Sequence, residues 1–210
     1  LSYAMPCYRS ITSINVGMVC SALLKGGTAA QQAEWLPRLA AGAIASFGLT
    51  EPGSGSDSAA MQTTAVRSGN PGSGSGAGGW VLNGTKRYIT NAPFADVALI
   101  MARTSKEALP KNAHVSAFLV PMDTPGVAVG KSDKKMGQAG SHIADIVMDN
   151  VQLPAEALLG LEERREFPLC LVPIGASDSE IPPAAELPEE VSFKVLPLSR
   201  SGATLTLAMA

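Results

Sequence analysis

An α+β chain is predicted, with a helical N-terminal segment, an antiparallel β-barrel or sandwich, and an irregular C-terminal tail. Three observations predict it. Apolar residues recur at roughly helical spacing between about Ser10 and Gly42. Seven short apolar runs then follow between Ala43 and Val151 with turn residues, and no helical pattern, between them. After Gly160 the run Leu161-Glu162-Glu163-Arg164-Arg165-Glu166 leads into prolines at 168, 173, 182, 183, 188 and 197, which leave no helical segment of useful length. The expected organisation is a partial helical domain over 1–42, a barrel over 43–160 and a tail over 161–210.

In the first segment, Ile14, Val16, Val19, Ala22 and Leu23 form an apolar stripe that fits a 3.6-residue period only loosely. Gly26-Gly27 stops this helix, and Thr28 is a candidate N-cap for a second one carrying Gln31, Gln32, Glu34, Trp35, Leu36 and Leu39. Pro37 lies inside that pattern and is expected to end or kink it, and Ala40-Ala41-Gly42 closes the region. Strands are expected near Ala43–Leu49, Gln62–Arg67, Gly79–Ile89, Val97–Thr104, His114–Pro121, Val127–Lys134 and Ile143–Val151. Asn83-Gly84, Asn91-Ala92-Pro93 and Thr124-Pro125-Gly126 are read as turn signals, and the Gly/Ser-rich stretch Ser68 to Gly79 as a flexible connector. The tail is expected to be irregular and loosely attached.

The chain has 210 residues, enough for one sizeable core or two small domains, and a formal net charge of −2, without the basic surplus that nucleic-acid binding needs. No apolar run reaches the ~18 residues of a membrane span, and no charged segment precedes an apolar one as in a secretory signal. The three cysteines, Cys7, Cys20 and Cys170, are odd in number and far apart, so they read as reduced thiols. A cytoplasmic setting, or the mitochondrial matrix in a eukaryote, is expected. With only two histidines a metal site has little to build from.

Two blocks carry the chemistry. Phe47-Gly48-Leu49-Thr50-Glu51-Pro52-Gly53-Ser54-Gly55-Ser56-Asp57 runs from a strand into a turn of small residues. Such a turn lets backbone N–H groups approach a phosphate, and serine hydroxyls add donors. Leu82-Asn83-Gly84-Thr85-Lys86-Arg87-Tyr88-Ile89-Thr90-Asn91 offers an aromatic face at Tyr88 and a hydroxyl at Thr90, two positions apart and so on one side of a strand. Either block alone is equally a surface turn or a packed hairpin.

Other patterns are set aside. Gly74-Ser75-Gly76-Ala77-Gly78-Gly79 matches GxGxxG by letters but leads into a strand. Gly126 to Ser132 is one residue short of a P-loop and reads as strand. Ser141, His142 and Asp145 are local neighbours, whereas triad partners are brought together by the fold. His114 opens a strand, and His142 follows a turn.

Together the two blocks resemble the acyl-CoA dehydrogenase family, and the resemblance runs from about Ser10 to Gly160. Further blocks in the same order support it: Trp35-Leu36-Pro37-Arg38-Leu39, Ala117-Phe118-Leu119-Val120, Thr124-Pro125-Gly126, Lys135-Met136-Gly137 and Val151-Gln152-Leu153-Pro154-Ala155. The resemblance implies a helical, β-barrel, helical architecture with FAD between the barrel and the C-terminal helices. It implies α,β-dehydrogenation of an acyl-CoA thioester to the 2-enoyl-CoA, with a glutamate base, hydride transfer to the flavin, and electrons passed to electron-transfer flavoprotein. It places Phe47, Leu49, Thr50, Gly55 and Ser56 in the segment that contacts FAD, with Ser56 also meeting the acyl-CoA. It places Tyr88, Ile89 and Thr90 in the aromatic-Ile-Thr segment against the flavin, with tyrosine where tryptophan is frequent. Family members are homo-oligomers, a property that the break after Gly160 leaves open here.

From Leu161 onward neither the family's C-terminal helices nor its glutamate base is matched, so no catalytic residue is assigned. Glu162, Glu163, Glu166, Glu180, Glu186, Glu189 and Glu190 cannot be assigned that role. The expectation is therefore a family oxidoreductase whose chain is truncated. Two alternatives stand beside it: an inactive barrel remnant serving as a binding or interaction module, and an acyl-CoA oxidase-like protein, which shares the fold and gives electrons to oxygen.

Overall fold

The structure, a computed structural model, describes residues 6–68, 78–105, 115–160, 195–201 and 204–209. The chain divides into two compact units, Leu1–Phe167 and Pro168–Ala210.

The first unit begins with α1 (Pro6–Thr12), which runs through a π-helical stretch, Ser13–Cys20, into α2 (Ser21–Gly26). The wider π turn explains why the apolar stripe fits a 3.6-residue period poorly. Asn15 within it is a clamp. Its Nδ2 donates to the Ala43 carbonyl at 2.9 Å, and its Oδ1 accepts from the Ala45 amide at 2.8 Å. Helix α3 (Ala29–Ala40) starts at a complete capping box, with Thr28 Oγ1 accepting from the Gln31 amide and Gln31 Oε1 accepting from the Thr28 amide. Pro37 neither ends this helix nor stops its last turn. It lies close enough to the C-terminus that its carbonyl still accepts from the Ala41 amide at 2.9 Å, and the ring removes only one i→i−4 bond.

The sheet has seven strands: β1 (Ala45–Gly48), β2 (Thr64–Arg67), β3 (Trp80–Thr90), β4 (Val97–Arg103), β5 (Val115–Pro121), β6 (Val127–Val129) and β7 (Ile143–Leu153). Their order is β1-β4-β2-β3-β7-β6, with β5 on the other edge of β4. All seven lie where strands were expected. The result is a curled, half-barrel sheet. It is mixed where antiparallel pairing was expected throughout. β1 runs parallel to β4 from Ala45↔Val97 to Gly48↔Ile100, because the antiparallel β2–β3 pair intervenes in the chain and returns it in the same direction.

Two turn signals resolve differently from one another. Asn91, with φ of 69°, does open a turn at Ala92–Phe94. Asn83-Gly84 does not turn the chain: it lies inside β3 at a register shift against β7. Gly84 has φ of 151°, and a Cβ there would sit 2.7 Å from Thr63 Cα, so the position needs glycine, while the extra residue of the shift lies on β7, where Asn150 has φ of 50°. The sixth strand ends at Val129, short of Lys134. Beyond it the pairing continues irregularly, through the Gly130 amide to the Asp145 carbonyl and the Asp133 amide to the Ile143 carbonyl.

Strand β4 explains the core. Its period of two sends Ala98, Ile100 and Ala102 into one hydrophobic cluster and Val97, Leu99 and Met101 into another. β5 divides in the same way, with Phe118 and Val120 on the first side and Ala117 and Leu119 on the second. The second cluster contains Val19, Leu23, Trp35 and Leu39, so the helices cover that face. Gln31 anchors the far end of the unit. Its Nε2 donates to the Glu156 and Leu158 carbonyls, both at 2.7 Å, and its Oε1 accepts from the Gly160 amide at 3.1 Å.

In the second unit the described residues form an antiparallel ribbon of β8 (Val195–Ser201) and β9 (Thr204–Met209). The tail is therefore not irregular throughout. The Leu- and Thr-rich run 204–209 has strand propensity that a count of prolines misses. The remainder of the predicted tail, the loop over 69–77, His114 and Cys170 lie outside the described residues.

Candidate functional site

The two sequence blocks meet side by side. Block one leaves β1 at Gly48, and block two takes up β3 from Leu82 to its end and the Asn91 that follows. Hydrogen bonds fasten block two both to β1 and to block one. Ser46 Oγ donates to the Thr90 carbonyl at 3.0 Å, and Asn91 Nδ2 to the Ala45 carbonyl at 3.0 Å. The Arg87 amide donates to the Thr50 carbonyl at 2.8 Å, and Lys86 Nζ to the Leu49 carbonyl at 3.2 Å.

The turn after Thr50 is tight. The Glu51 amide donates to the Ser54 carbonyl at 2.9 Å and the Ser54 amide returns to the Glu51 carbonyl at 3.2 Å, while Ser54 Oγ donates to the Asp57 carbonyl at 2.7 Å. Ser54 is buried, whereas Gly55 and Ser56 are exposed. A Cβ at Gly53 or Gly55 would find nothing within 4 Å, so open space faces both glycines.

On β3 the register shifts between Lys86 and Ile89. Tyr88 takes up the bulge with φ of 58° and is 55% exposed. Its amide donates to Asp145 Oδ1 at 3.3 Å, and the Arg87 guanidinium lies 4.9 Å from its ring centroid. Tyr88, then the Asp145 carboxylate, push the Arg87 pKa above its usual value. Ile89 is buried in the first core cluster, so only its backbone is available to a ligand. Thr90 is half-buried. Phe47 and Leu49 are half-buried against the second core cluster, and Thr50 is half-buried between the blocks.

Beneath the site lies an ion pair that residue type alone does not mark as functional. Lys86 Nζ sits 2.6 Å from Glu51 Oε1, with side-chain exposures of 0% and 4%. The Glu51 carboxylate also accepts from the Gln62 amide at 2.5 Å and the Thr63 amide at 3.0 Å. Burial pushes the Glu51 carboxyl up, but the hydrogen bonds from Lys86, Thr63 and Gln62 outweigh it and hold the group below the usual carboxylate range. Burial lowers the Lys86 pKa, and Glu51 opposes that shift. Gly48 leaves room for the lysine stem: a Cβ there would lie 3.2 Å from Lys86 Cγ.

The Ser141, His142 and Asp145 group is committed elsewhere. The Ser141 carbonyl accepts from Lys135 Nζ, His142 packs edge-on to Phe94 at 4.9 Å, and Asp145 engages Arg87 and the Tyr88 amide. Burial raises the Cys20 pKa. Among the described residues no cluster of His, Cys, Asp or Glu could hold a metal ion, and no helix is long and apolar enough to cross a membrane.

Comparison with known proteins gives the family. Residues 46–151 match the family model of the acyl-CoA dehydrogenase middle domain, and residues 1–43 match that of the N-terminal domain. The chain is 39% identical over 151 residues to human mitochondrial short-chain specific acyl-CoA dehydrogenase, covering 71% of this chain and 34% of the relative. A glutaryl-CoA dehydrogenase of Mycobacterium smegmatis in complex with FADH2 superposes with a TM-score of 0.62 at 43% identity, over 73% of this chain and 36% of that one. Butyryl-CoA dehydrogenase of Megasphaera elsdenii does so with a TM-score of 0.67 at 33% identity, over 76% and 40%. The chain belongs to the acyl-CoA dehydrogenase family, a family of FAD-dependent oxidoreductases. It spans 34% of the length of the human relative.

Proposed function

We propose that this chain supplies the FAD- and acyl-CoA-contacting part of an acyl-CoA dehydrogenase, which oxidises an acyl-CoA thioester to its 2-enoyl-CoA. The observation that carries the reading is the convergence of the two blocks, with an exposed aromatic face at Tyr88 beside an open glycine-serine turn.

The residues fit FAD chemically. Gly55 and Ser56 present an uncrowded turn suited to phosphate oxygens, Thr50 and Thr90 bring hydroxyls, and Tyr88 brings an aromatic surface. Phe47 and Leu49 shape the floor from their half-buried positions, and Ile89 contributes backbone. When bound, FAD supplies the acceptor for the hydride leaving the substrate β-carbon. The chain's own contribution is placement and hydrogen-bond donation to the thioester side, where exposed Ser56 is the assigned substrate contact. Glu51 and Asp145, the carboxylates hydrogen-bonded into this site, are held by Lys86 and Arg87, so neither serves as the α-proton base. The substrate is an acyl-CoA of the kind named for the relatives, short-chain, butyryl or glutaryl, and electron-transfer flavoprotein receives the electrons. A cytoplasmic or mitochondrial matrix location accords with those relatives.

Titration of the chain with FAD, followed by flavin fluorescence, tests this reading. Thr90→Val and Ser56→Ala should each weaken binding by about 1 kcal/mol for a neutral hydrogen bond, and by more where the partner is a phosphate. Unchanged affinity in both variants would discard the assignment.

A further inference from the structure

We propose that the buried Glu51–Lys86 pair is a positioning device that holds the Thr50–Ser56 turn against β3 before any ligand arrives. The proposal rests on the flavin reading above for what the turn binds, but not for how the turn is held.

One carboxylate ties three separate segments together. Glu51 belongs to the turn, its Lys86 partner belongs to β3, and the Gln62 and Thr63 amides that it also accepts from lead into β2. Lys86 spends a second proton on the Leu49 carbonyl, the residue immediately before Thr50. The next residue along β3, Arg87, donates its amide to the Thr50 carbonyl. Thus both residues of the Lys86-Arg87 step fasten the chain on which Thr50 sits. One residue further, Tyr88 is in its left-handed bulge, so the fastening also fixes where the bulge begins.

A buried ion pair is by itself weak evidence for stability, since replacing it with well-packed apolar residues of similar volume is often neutral or stabilising. Apolar side chains would fill the space, but would give the Gln62 and Thr63 amides no acceptor and the Leu49 carbonyl no donor. What the charges add is direction, and a turn already in place spares a ligand the cost of ordering it.

Two measurements decide it. In the ligand-free wild-type chain, the Arg87 amide should exchange with solvent as slowly as sheet amides such as Ile146. Exchange at the rate of an exposed loop would overturn the proposal, whether or not FAD binds. The isosteric variant Glu51→Gln/Lys86→Met should keep the wild-type far-UV spectrum yet bind FAD at least tenfold more weakly, with an altered bound-flavin absorption band. A folded double variant with Kd within twofold of wild type would also overturn it. If the double variant does not fold, the exchange result on the wild type decides alone. Failure of the wild type to bind FAD counts instead against the proposed function.

Discussion

Lys86→Met alone should cost about 3–5 kcal/mol of folding stability, because it strands the Glu51 carboxylate in a site that water does not reach. Urea unfolding followed by tryptophan fluorescence would show the midpoint fall with little change in slope. Adding Glu51→Gln should return most of the loss, since the stranded charge is then gone. The same pair sets an acid dependence. A carboxyl held below its ordinary value of 4.5 contributes stability that is full above that value, and it is lost as pH falls through the folded-state pKa. Lys86 acts with the opposite sign. Its lowered pKa makes the charged form a cost at neutral pH, relieved as pH rises from the folded value toward 10.5. The wild type should therefore lose stability below about pH 4.5 more steeply than the neutral double variant.

Phe118→Ala is expected to cost a similar amount, about 3–5 kcal/mol. The ring is fully buried, lies edge-on to Trp80 at 5.2 Å between centroids, and sits on β5 in the cluster that also holds Ile89. Truncation leaves a cavity that β4, buried on both faces, has little freedom to fill. Thermal unfolding of the variant checks this. A loss under 1 kcal/mol would mean that the first cluster is not the core that supports the site.

Much of the fold is legible in the amino-acid sequence itself. The apolar run Val97-Ala98-Leu99-Ile100-Met101-Ala102 is too short for a helix and is bounded by turn residues, and all seven such runs are strands. Thr28 with Gln31 three residues on announces the helix start. What stays hidden depends on contacts between distant segments. Asn83-Gly84 reads as a turn from local chemistry alone, and only its pairing with β2 and β7 and the close approach of Thr63 make it a strand position that needs glycine. The parallel β1–β4 pairing joins strands separated by the whole β2–β3 pair, beyond the reach of a periodicity.

The candidate site divides in the same way. The glycine-serine turn and Tyr88 stand out by residue type. Lys86 does not, because a lysine beside Arg87 and Thr85 reads as a solvent-facing residue. One signal could have found it: Lys86 shares strand parity with Trp80 and Leu82, both buried. A lysine on that side of a strand needs a partner, and Glu51 is one of the two acids, with Asp57, in the other block.

The most direct measurement is a titration of FAD into the isotopically labelled chain, followed residue by residue through backbone amide signals. The prediction is a saturable set of shifts centred on Thr50, Gly55, Ser56, Tyr88 and Thr90, with the amides of α3 unmoved. Saturating FAD that leaves those five signals in place, or moves a different surface instead, would contradict the claim that the two blocks form one flavin site.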